Sequence, residues 1–376
     1  MSAPSVAPRE LYDRVREGRV SVLDVRDRDE FEAWHVDGPG VTARQVPYAE
    51  FVAAGVGGDP ADLVPEDLEE PVVAVCAVGE ASDEVAAALR EAGVDAVNLE
   101  GGMDAWADLV VVHDLGDGVL QFERPSSGCL SYLLHDGGDA AVVDPLAAAT
   151  GAYAAAAEER GLAVAAAVDT HVHADHVSGV RALADETGAE RVLPEGAADR
   201  GLGYDATLVA DGDALAVGDR DVRVHRAPGH TTELVVLEWG GDLLTADCLF
   251  LDGVGRPDLE DADRARDLAA RQYDSLHDVV FAFPEGTRVL PGHVEADTDR
   301  GGPDGGFARS LGDVRERLDL AALDRDAFVD RLTTDLPPRP ANFEAVVAVN
   351  LGERAVDEDT LELERGPNNC AVSSAE

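Results

Sequence analysis

The sequence predicts an α/β protein in two parts: a small parallel-sheet unit, then an αββα sandwich with a helical C-terminal extension. Three observations lead there. Residues 1–110 alternate short apolar runs with amphipathic stretches, the pattern of buried parallel strands joined by helices. From residue 111 onward, strand-like runs bounded by Gly and Asp, partly arranged as hairpins, mix with helical segments, as in a two-sheet sandwich. The chain has 376 residues, 45% hydrophobic and 28% charged, a globular composition large enough for two or three domains.

The apolar runs Val20–Val25 and Pro71–Val78 read as buried strands. Asp83–Ala92 is amphipathic and stops at Gly93, where a helix C-cap belongs. Val94–Leu99 reads as a third strand, and Met103–Ala107 as a short helix after Gly101-Gly102. In the second part, strands are expected at Val119–Phe122, Leu130–Leu134 and Ala140–Val143, an Ala-rich helix at Ala147–Arg160, a strand at Ala163–Val168 and a helix at Val177–Thr187. Further strands follow at Leu208–Val217, Asp221–Ala227, Leu234–Trp239 and Asp242–Thr245, then a helix at Ala262–His277. The expected divisions are residues 1–110, 111–300, an extension over 301–352 with helices at Phe307–Leu318 and Arg325–Thr333, and an acidic tail over 353–376. The tail is polar enough to be expected to fray.

Charge sets the partner classes. Asp and Glu number 76 against 30 basic residues, a net charge of −46 at pH 7, and no residue is Lys. DNA, RNA and an anionic membrane surface would repel such a chain. The acidic residues are spread along its length, which suits work in concentrated salt, where self-repulsion is screened. No apolar run approaches the ~20 residues of a membrane span and the N-terminus lacks a signal-type apolar core, so a cytoplasmic location is expected. Cys76, Cys129, Cys248 and Cys370 are widely spaced and form no CxxC pair, which disfavours a disulfide framework or a thiolate zinc site. Cys248 is expected to be a buried, inert thiol, Cys129 to open a strand, and Cys370 to lie in the frayed tail.

The strongest chemical signal is Thr170-His171-Val172-His173-Ala174-Asp175-His176 at the end of an apolar strand. On an extended segment His171 and His173 share a face, and Asp175 and His176 fold under as the chain turns. Imidazoles and a carboxylate at this density suit Zn, Fe or Mn. Further candidates follow at His230 in APGHT, Asp247 in TADCLF and His293 in LPGHVEAD.

The HxHxDH motif with these later segments in order resembles the metallo-β-lactamase superfamily over about residues 120–297. Gly253-Val254-Gly255-Arg256-Pro257-Asp258 is similar to the persulfide (sulfur) dioxygenase branch, where the glyoxalase II branch carries an aromatic residue in place of Asp258; PPRPANFEAVVAVN points the same way. The dioxygenase resemblance implies one Fe(II) per chain, held by His171, His230 and Asp247, with open positions for a persulfide and O₂. Oxidation of a small-molecule persulfide would yield sulfite and thiol. His173, Asp175, His176 and His293 would then orient the ligands; in the alternative, a thioester hydrolase of glyoxalase II type, they complete a site for two Zn. The ligand inventory does not choose between one iron and two zincs. Arg256 either holds a carboxylate of the thiol substrate or braces Asp258. A homodimer is compatible with the resemblance.

Residues 8–108 resemble the rhodanese domain through LDVR, DEF, HVDG and NLEGGMDAW, with Cys76 opening the loop Cys76–Ser82 after a central strand. The resemblance implies that Cys76 carries sulfane sulfur as a persulfide, its thiol activated by loop amides and a helix end. The usual loop has Arg at its second and sixth positions; here they are Ala77 and Ala81, and Glu80 adds negative charge. Asp24 and Arg26 are read as structural. The fusion leads to an expectation of coupled persulfide oxidation and sulfur transfer.

Overall fold

The computed structural model describes residues 3–364, apart from 335, 337 and 341, and residues 370–373. Two compact units emerge: residues 1–111 with 124–127, and residues 112–123 with 128–376.

The first unit is a five-stranded sheet, all of whose pairings are parallel. Its elements are β1 (Ser5–Val6), α1 (Pro8–Glu17), β2 (Val20–Asp24), α2 (Arg28–Ala33), β3 (Val41–Gln45), α3 (Tyr48–Gly57), β4 (Val72–Val75), α4 (Glu80–Glu91), β5 (Ala96–Leu99) and α5 (Gly102–Ala107), in the strand order β1-β5-β4-β2-β3. β2 and β4 are buried throughout, which is why they read as continuous apolar runs. The strands are shorter than the runs. Pro71 and Cys76–Val78 fall outside β4 because the chain turns there into the loop before α4.

The second unit holds two sheets. The first contains β6 (Val111–Gly116), β7 (Val119–Arg124), β8 (Cys129–Asp136), β9 (Asp139–Val143), β10 (Ala163–Val168), β11 (Glu190–Pro194) and β12 (Thr207–Val209), in the order β12-β11-β10-β9-β8-β7-β6, with α6 (Thr150–Arg160) and α7 (Val180–Thr187) against it. The second contains β13 (Ala214–Val217), β14 (Arg220–Arg226), β15 (Val235–Trp239), β16 (Asp242–Ala246), β18 (Arg288–Pro291) and β19 (Arg309–Ser310), with β17 (Gly253–Gly255) outside it. Leu134, Val143 and Val168 of one sheet share a core with Val224, Leu237, Leu244 and Leu290 of the other. That shared core is the sandwich. α8 (Ala265–Asp278), α9 (Leu311–Arg317) and α10 (Arg325–Thr333) add Leu276, Val314 and Phe328 to it.

Several expectations are corrected. Ala147–Ala149 is a tight 3₁₀ turn before α6. The single strand expected over Leu208–Val217 is two, β12 and β13, in different sheets, because Asp211-Gly212-Asp213 turns the chain between them. Arg309–Ser310 pairs with β18, which delays the helix expected at Phe307 until Leu311. The frayed tail is the largest correction. After α11 (Phe343–Asn350) and α12 (Glu358–Leu361), β20 (Ala371–Ser373) pairs antiparallel with β17, and Cys370 is fully buried. Residues 365–369 and 374–376 of that tail lie outside the described residues. No helix among the described residues is long and apolar enough to cross a membrane.

Candidate metal centre and sulfur-transfer cysteine

The HxHxDH segment leaves the C-terminal end of β10 as a buried, irregular loop. Thr170 starts it. Its amide and hydroxyl both bond to Asp144, at the end of β9, and its oxygen lies 3.0 Å from His171 Nδ1. Val172 N–H donates to Glu233, which also pairs with Arg200. Asn350, from α11, donates to the carbonyls of His173 and His176 and accepts from Ser178 N–H. A helix far along the chain thus holds the motif in shape.

Three further segments reach the same place. His230 lies in the turn between β14 and β15, Asp247 directly after β16, and His293 two residues after β18. Donor atoms of His171, His230 and Asp247 all lie within 4.8 Å of one another. His171 Nε2 and His230 Nε2 face Asp247 Oδ2 at 4.0 and 3.5 Å. Neither nitrogen has a hydrogen-bonding partner, although both rings are buried. Buried polar atoms left unpaired cost free energy, and a cation between these three donors would satisfy all of them. The set therefore fits a metal ion.

The rear of each ligand is fixed. The His230 Nδ1 atom is 2.7 Å from the Arg256 carbonyl oxygen. Gly255 makes this approach possible, since a side-chain carbon there would sit 2.1 Å from the Asp247 carbonyl oxygen and 2.9 Å from His230 Nδ1. Burial and the neighbouring imidazoles of His173 and His230 hold the His171 titration well below the usual value, so the ring stays in its neutral, ligating form.

Cys129, Asp175, His176 and His293 form a second buried group of donors. His293 spans it: Nε2 lies 2.8 Å from Asp175 and Nδ1 2.8 Å from Asp247. Burial alone would lower the His293 titration, but these two carboxylates raise it well above the usual value. His173 belongs to neither group. Its Nε2 lies 3.1 Å from Asp144 and 3.7 Å from Asp169, and these three form a third cluster. Burial pushes the Asp169 carboxyl up to about 6.

Arg256 is buried; Nε and Nη2 bond to Asp258 and Nη1 to the Pro338 carbonyl, while Arg339 reaches Asp258 from the other side. Of the two roles left open for Arg256, this is the bracing arrangement. Cys248 is buried and its thiol is pushed up to about 12 by burial. Cys370, expected in a frayed tail, packs on Ala174 and Leu259, and its carbonyl accepts the Arg256 N–H. Phe250, Gly253, His293 and Ala371 line a pocket beside the centre.

In the other unit Cys76 follows β4. Gly79 N–H donates to its sulfur over 3.1 Å and the Ser82 hydroxyl lies 3.2 Å away. Gly102, at φ +61°, lets α5 begin directly against the loop: a side-chain carbon there would lie 2.3 Å from the Cys76 carbonyl oxygen. Met103 N–H and Asp104 N–H donate to the carbonyls of Cys76 and Ala77.

Asp144, Glu233 and Asn350 are not singled out in the sequence, and Cys129 and Cys370 are expected there only as a strand start and a tail residue, away from the centre. Asp144 had a signal, as the polar end of an apolar strand before Pro145. The rest had none, because their place depends on tertiary packing.

Residues 125–329 match the metallo-beta-lactamase superfamily. The chain belongs to that superfamily. Residues 7–109 match the rhodanese-like domain, so the metallo-β-lactamase fold here follows a rhodanese-like unit. A hydroxyacylglutathione hydrolase of Anaeromyxobacter dehalogenans is 36% identical over 65% of this chain and 86% of its own length. The persulfide dioxygenase ETHE1 of Mus musculus is 28% identical over 61% of this chain and 86% of its own. The crystal structure of ETHE1 from Myxococcus xanthus aligns with a TM-score of 0.55 and 28% identity, covering 63% of this chain and 99% of that one. Superfamily members of these kinds are hydrolases or dioxygenases that bind metal ions, and this chain is an enzyme with donor groups for such ions.

Proposed function

We propose that the protein is an Fe(II)-dependent persulfide dioxygenase. It oxidises a low-molecular-weight thiol persulfide with O₂ to sulfite and thiol, and its rhodanese-like unit moves sulfane sulfur through Cys76. The observation that carries this reading is the position of His173. With its Nε2 beside Asp144 and Asp169, the first donor set contains two imidazoles and one carboxylate rather than three imidazoles. Two His and one carboxylate on one side is the arrangement that suits ferrous iron and leaves positions open.

Fe(II) held by His171, His230 and Asp247 would supply the redox chemistry that O₂ needs. The chain's own residues do the rest. Thr170 and the Arg256 carbonyl fix the two rings from behind, so each offers Nε2 forward. His293, between Asp175 and Asp247, holds a proton at the edge of the centre. The burial of the whole set excludes bulk water. The reaction balances as RSSH + O₂ + H₂O → RSH + SO₃²⁻ + 2 H⁺: the S–S bond breaks, the outer sulfur gains three oxygens, and O₂ takes up all the electrons that the sulfur pair loses.

A second reading is a two-zinc thioester hydrolase. The Asp175–His176–His293 group next to Asp247, and the 36% identical hydrolase, favour it. The test is O₂ uptake by iron-loaded protein in molar KCl, the medium its acidic composition suits, with a small persulfide as substrate and thioester cleavage measured in parallel. O₂ consumption matched by sulfite supports the dioxygenase; zinc-dependent thioester cleavage without O₂ uptake replaces it with the hydrolase.

A further inference from the structure

The Cys76 cradle is built without a cation. Gly79 N–H donates to its sulfur, and the single proton of the Ser82 hydroxyl is shared between that sulfur, at 3.2 Å, and Asn98 Oδ1, at 2.7 Å; the Asn98 amide N–H donates to the Gly79 carbonyl. From Cys76 to Asp108 the only basic residue is Arg90, paired to Asp95, while that stretch carries Glu80, Asp83, Glu84, Glu91, Asp95, Glu100, Asp104 and Asp108. The arginines on neighbouring strand ends are also engaged: Arg26 with Asp24, and Arg44 with Asp67. The residue at the loop's tip is Val78, 53% exposed.

Such a cradle tolerates one negative charge on sulfur, because the Gly79 amide bond strengthens when its acceptor is ionised and the Ser82 proton then turns from Asn98 to the sulfur. It opposes a dianion, which meets Glu80 of the loop, and Asp104 whose N–H bonds the Ala77 carbonyl, with no basic side chain in the loop itself. We propose that Cys76 exchanges sulfane sulfur between thiols, taking it from a thiol persulfide and returning it to a thiol, and excludes thiosulfate and sulfite. This deepens the sulfur-transfer part of the reading above and needs no metal. In the forward step the Cys76 thiolate attacks the outer sulfur of R–S–SH. A bond forms between Cys76 Sγ and that sulfur, the S–S bond of the donor breaks, and its electron pair leaves on RS⁻, giving Cys76–S–SH. A second thiolate R′S⁻ reverses the step and leaves as R′–S–SH.

Accepting sulfur from thiosulfate and donating it to sulfite pass through one transition state in opposite directions. Carboxylates that raise that shared transition state slow both directions by the same factor. Cys76 accordingly belongs on the supply side of a persulfide-consuming reaction and does not use the sulfite that such a reaction releases.

The experiment uses the full chain without O₂, so that oxidation is silent, and follows the intact mass for addition of one sulfur atom. Cysteine persulfide and sodium thiosulfate are compared at equal concentration. At about 0.1 M KCl, where charge is only partly screened, labelling by cysteine persulfide should be at least about tenfold faster, a preference that molar KCl narrows. C76S should take up no sulfur from either. Ala77→Arg with Ala81→Arg should raise thiosulfate labelling by about tenfold and let the loaded protein pass sulfur to sulfite. Thiosulfate labelling as fast as persulfide labelling in the unaltered chain, transfer from Cys76 to sulfite as fast as to a thiol, or no labelling by either donor would each overturn the proposal. Absence of O₂ uptake in air with labelling intact would count against the metal centre alone.

Discussion

The two sites solve opposite electrostatic problems with the same architectural device. Each begins where a buried strand ends: Cys76 after β4, and Thr170-His171 two residues past β10. At Cys76 the groups that face the sulfur are a backbone amide and a hydroxyl from seven consecutive residues, Cys76–Ser82. At the metal centre they are ionisable side chains from four separate segments, and those groups shift one another: His171 stays neutral while His293 is drawn up by two carboxylates. A sulfur anion needs only local dipoles. A cation needs convergent lone pairs, which cannot all satisfy each other while the ion is absent. The largest expected difference follows. Asp247→Ala should reduce bound iron and O₂ uptake by more than about a hundredfold, beyond the cost of losing a group that merely orients a ligand. Cys76→Ser should leave O₂ uptake on a supplied persulfide within about twofold, a change too small to be a lost ligand. Equal losses in both variants would show that the sites do not work separately.

The same contrast explains what was legible. The Cys76 loop was readable because it is contiguous, and so were HxHxDH, His230, Asp247 and His293, because each is a short motif after an apolar strand. The division of labour among the histidines was not. His171 and His173 are two residues apart on one irregular loop, yet one faces Asp247 and the other faces Asp144 and Asp169. Only the packing of β9 against β10 decides that. Asn350, which bonds the HxHxDH loop, and Glu364, which accepts from Val177 N–H just after it, carry no local signature at all. Asp144→Asn tests how much rests on this supporting layer. It weakens the Thr170 bonds and so the hold on His171, and should reduce metal affinity by about 10–100-fold with all three candidate ligands intact. Unchanged affinity, measured by competition with a chelator, would mean that His171 is held by the fold alone.

A smaller effect is expected at Arg256. Its guanidinium is buried against Asp258, and removal of one partner from a buried pair leaves the other uncompensated. Asp258→Asn should cost about 3 kcal/mol of unfolding free energy, read from denaturant midpoints in molar KCl. Burial would raise the Asp258 titration, but Arg256 and Arg339 outweigh it and lower it. A carboxylate depressed in the folded state contributes stability in full above its unfolded value and loses it as pH falls through the folded one. The difference between the two proteins should therefore stay constant above about pH 5 and shrink below about pH 4. A difference that grows on acidification would assign the pair no such role.

The smallest effect separates the C-terminal strand from its thiol. Cys370 is buried against Ala174, inside the HxHxDH segment, and β20 pairs with β17 one step from the Gly255–Arg256 turn that supports His230. Burial, with Asp175 and Asp247 adding to it, pushes the Cys370 thiol well above its usual value. It is therefore protonated at neutral pH and is a poor nucleophile. Cys370→Ala keeps the strand and removes one small buried group. It should cost about 1 kcal/mol or less and leave kcat for persulfide oxidation unchanged. Ending the chain after Glu364 removes the strand itself and exposes the back of the Arg256 turn. It should raise KM for the persulfide and loosen the metal by a few-fold, less than the loss expected at Asp144. A fall in kcat with Cys370→Ala at unchanged stability would reverse this order and place the thiol, rather than the strand, in the chemistry.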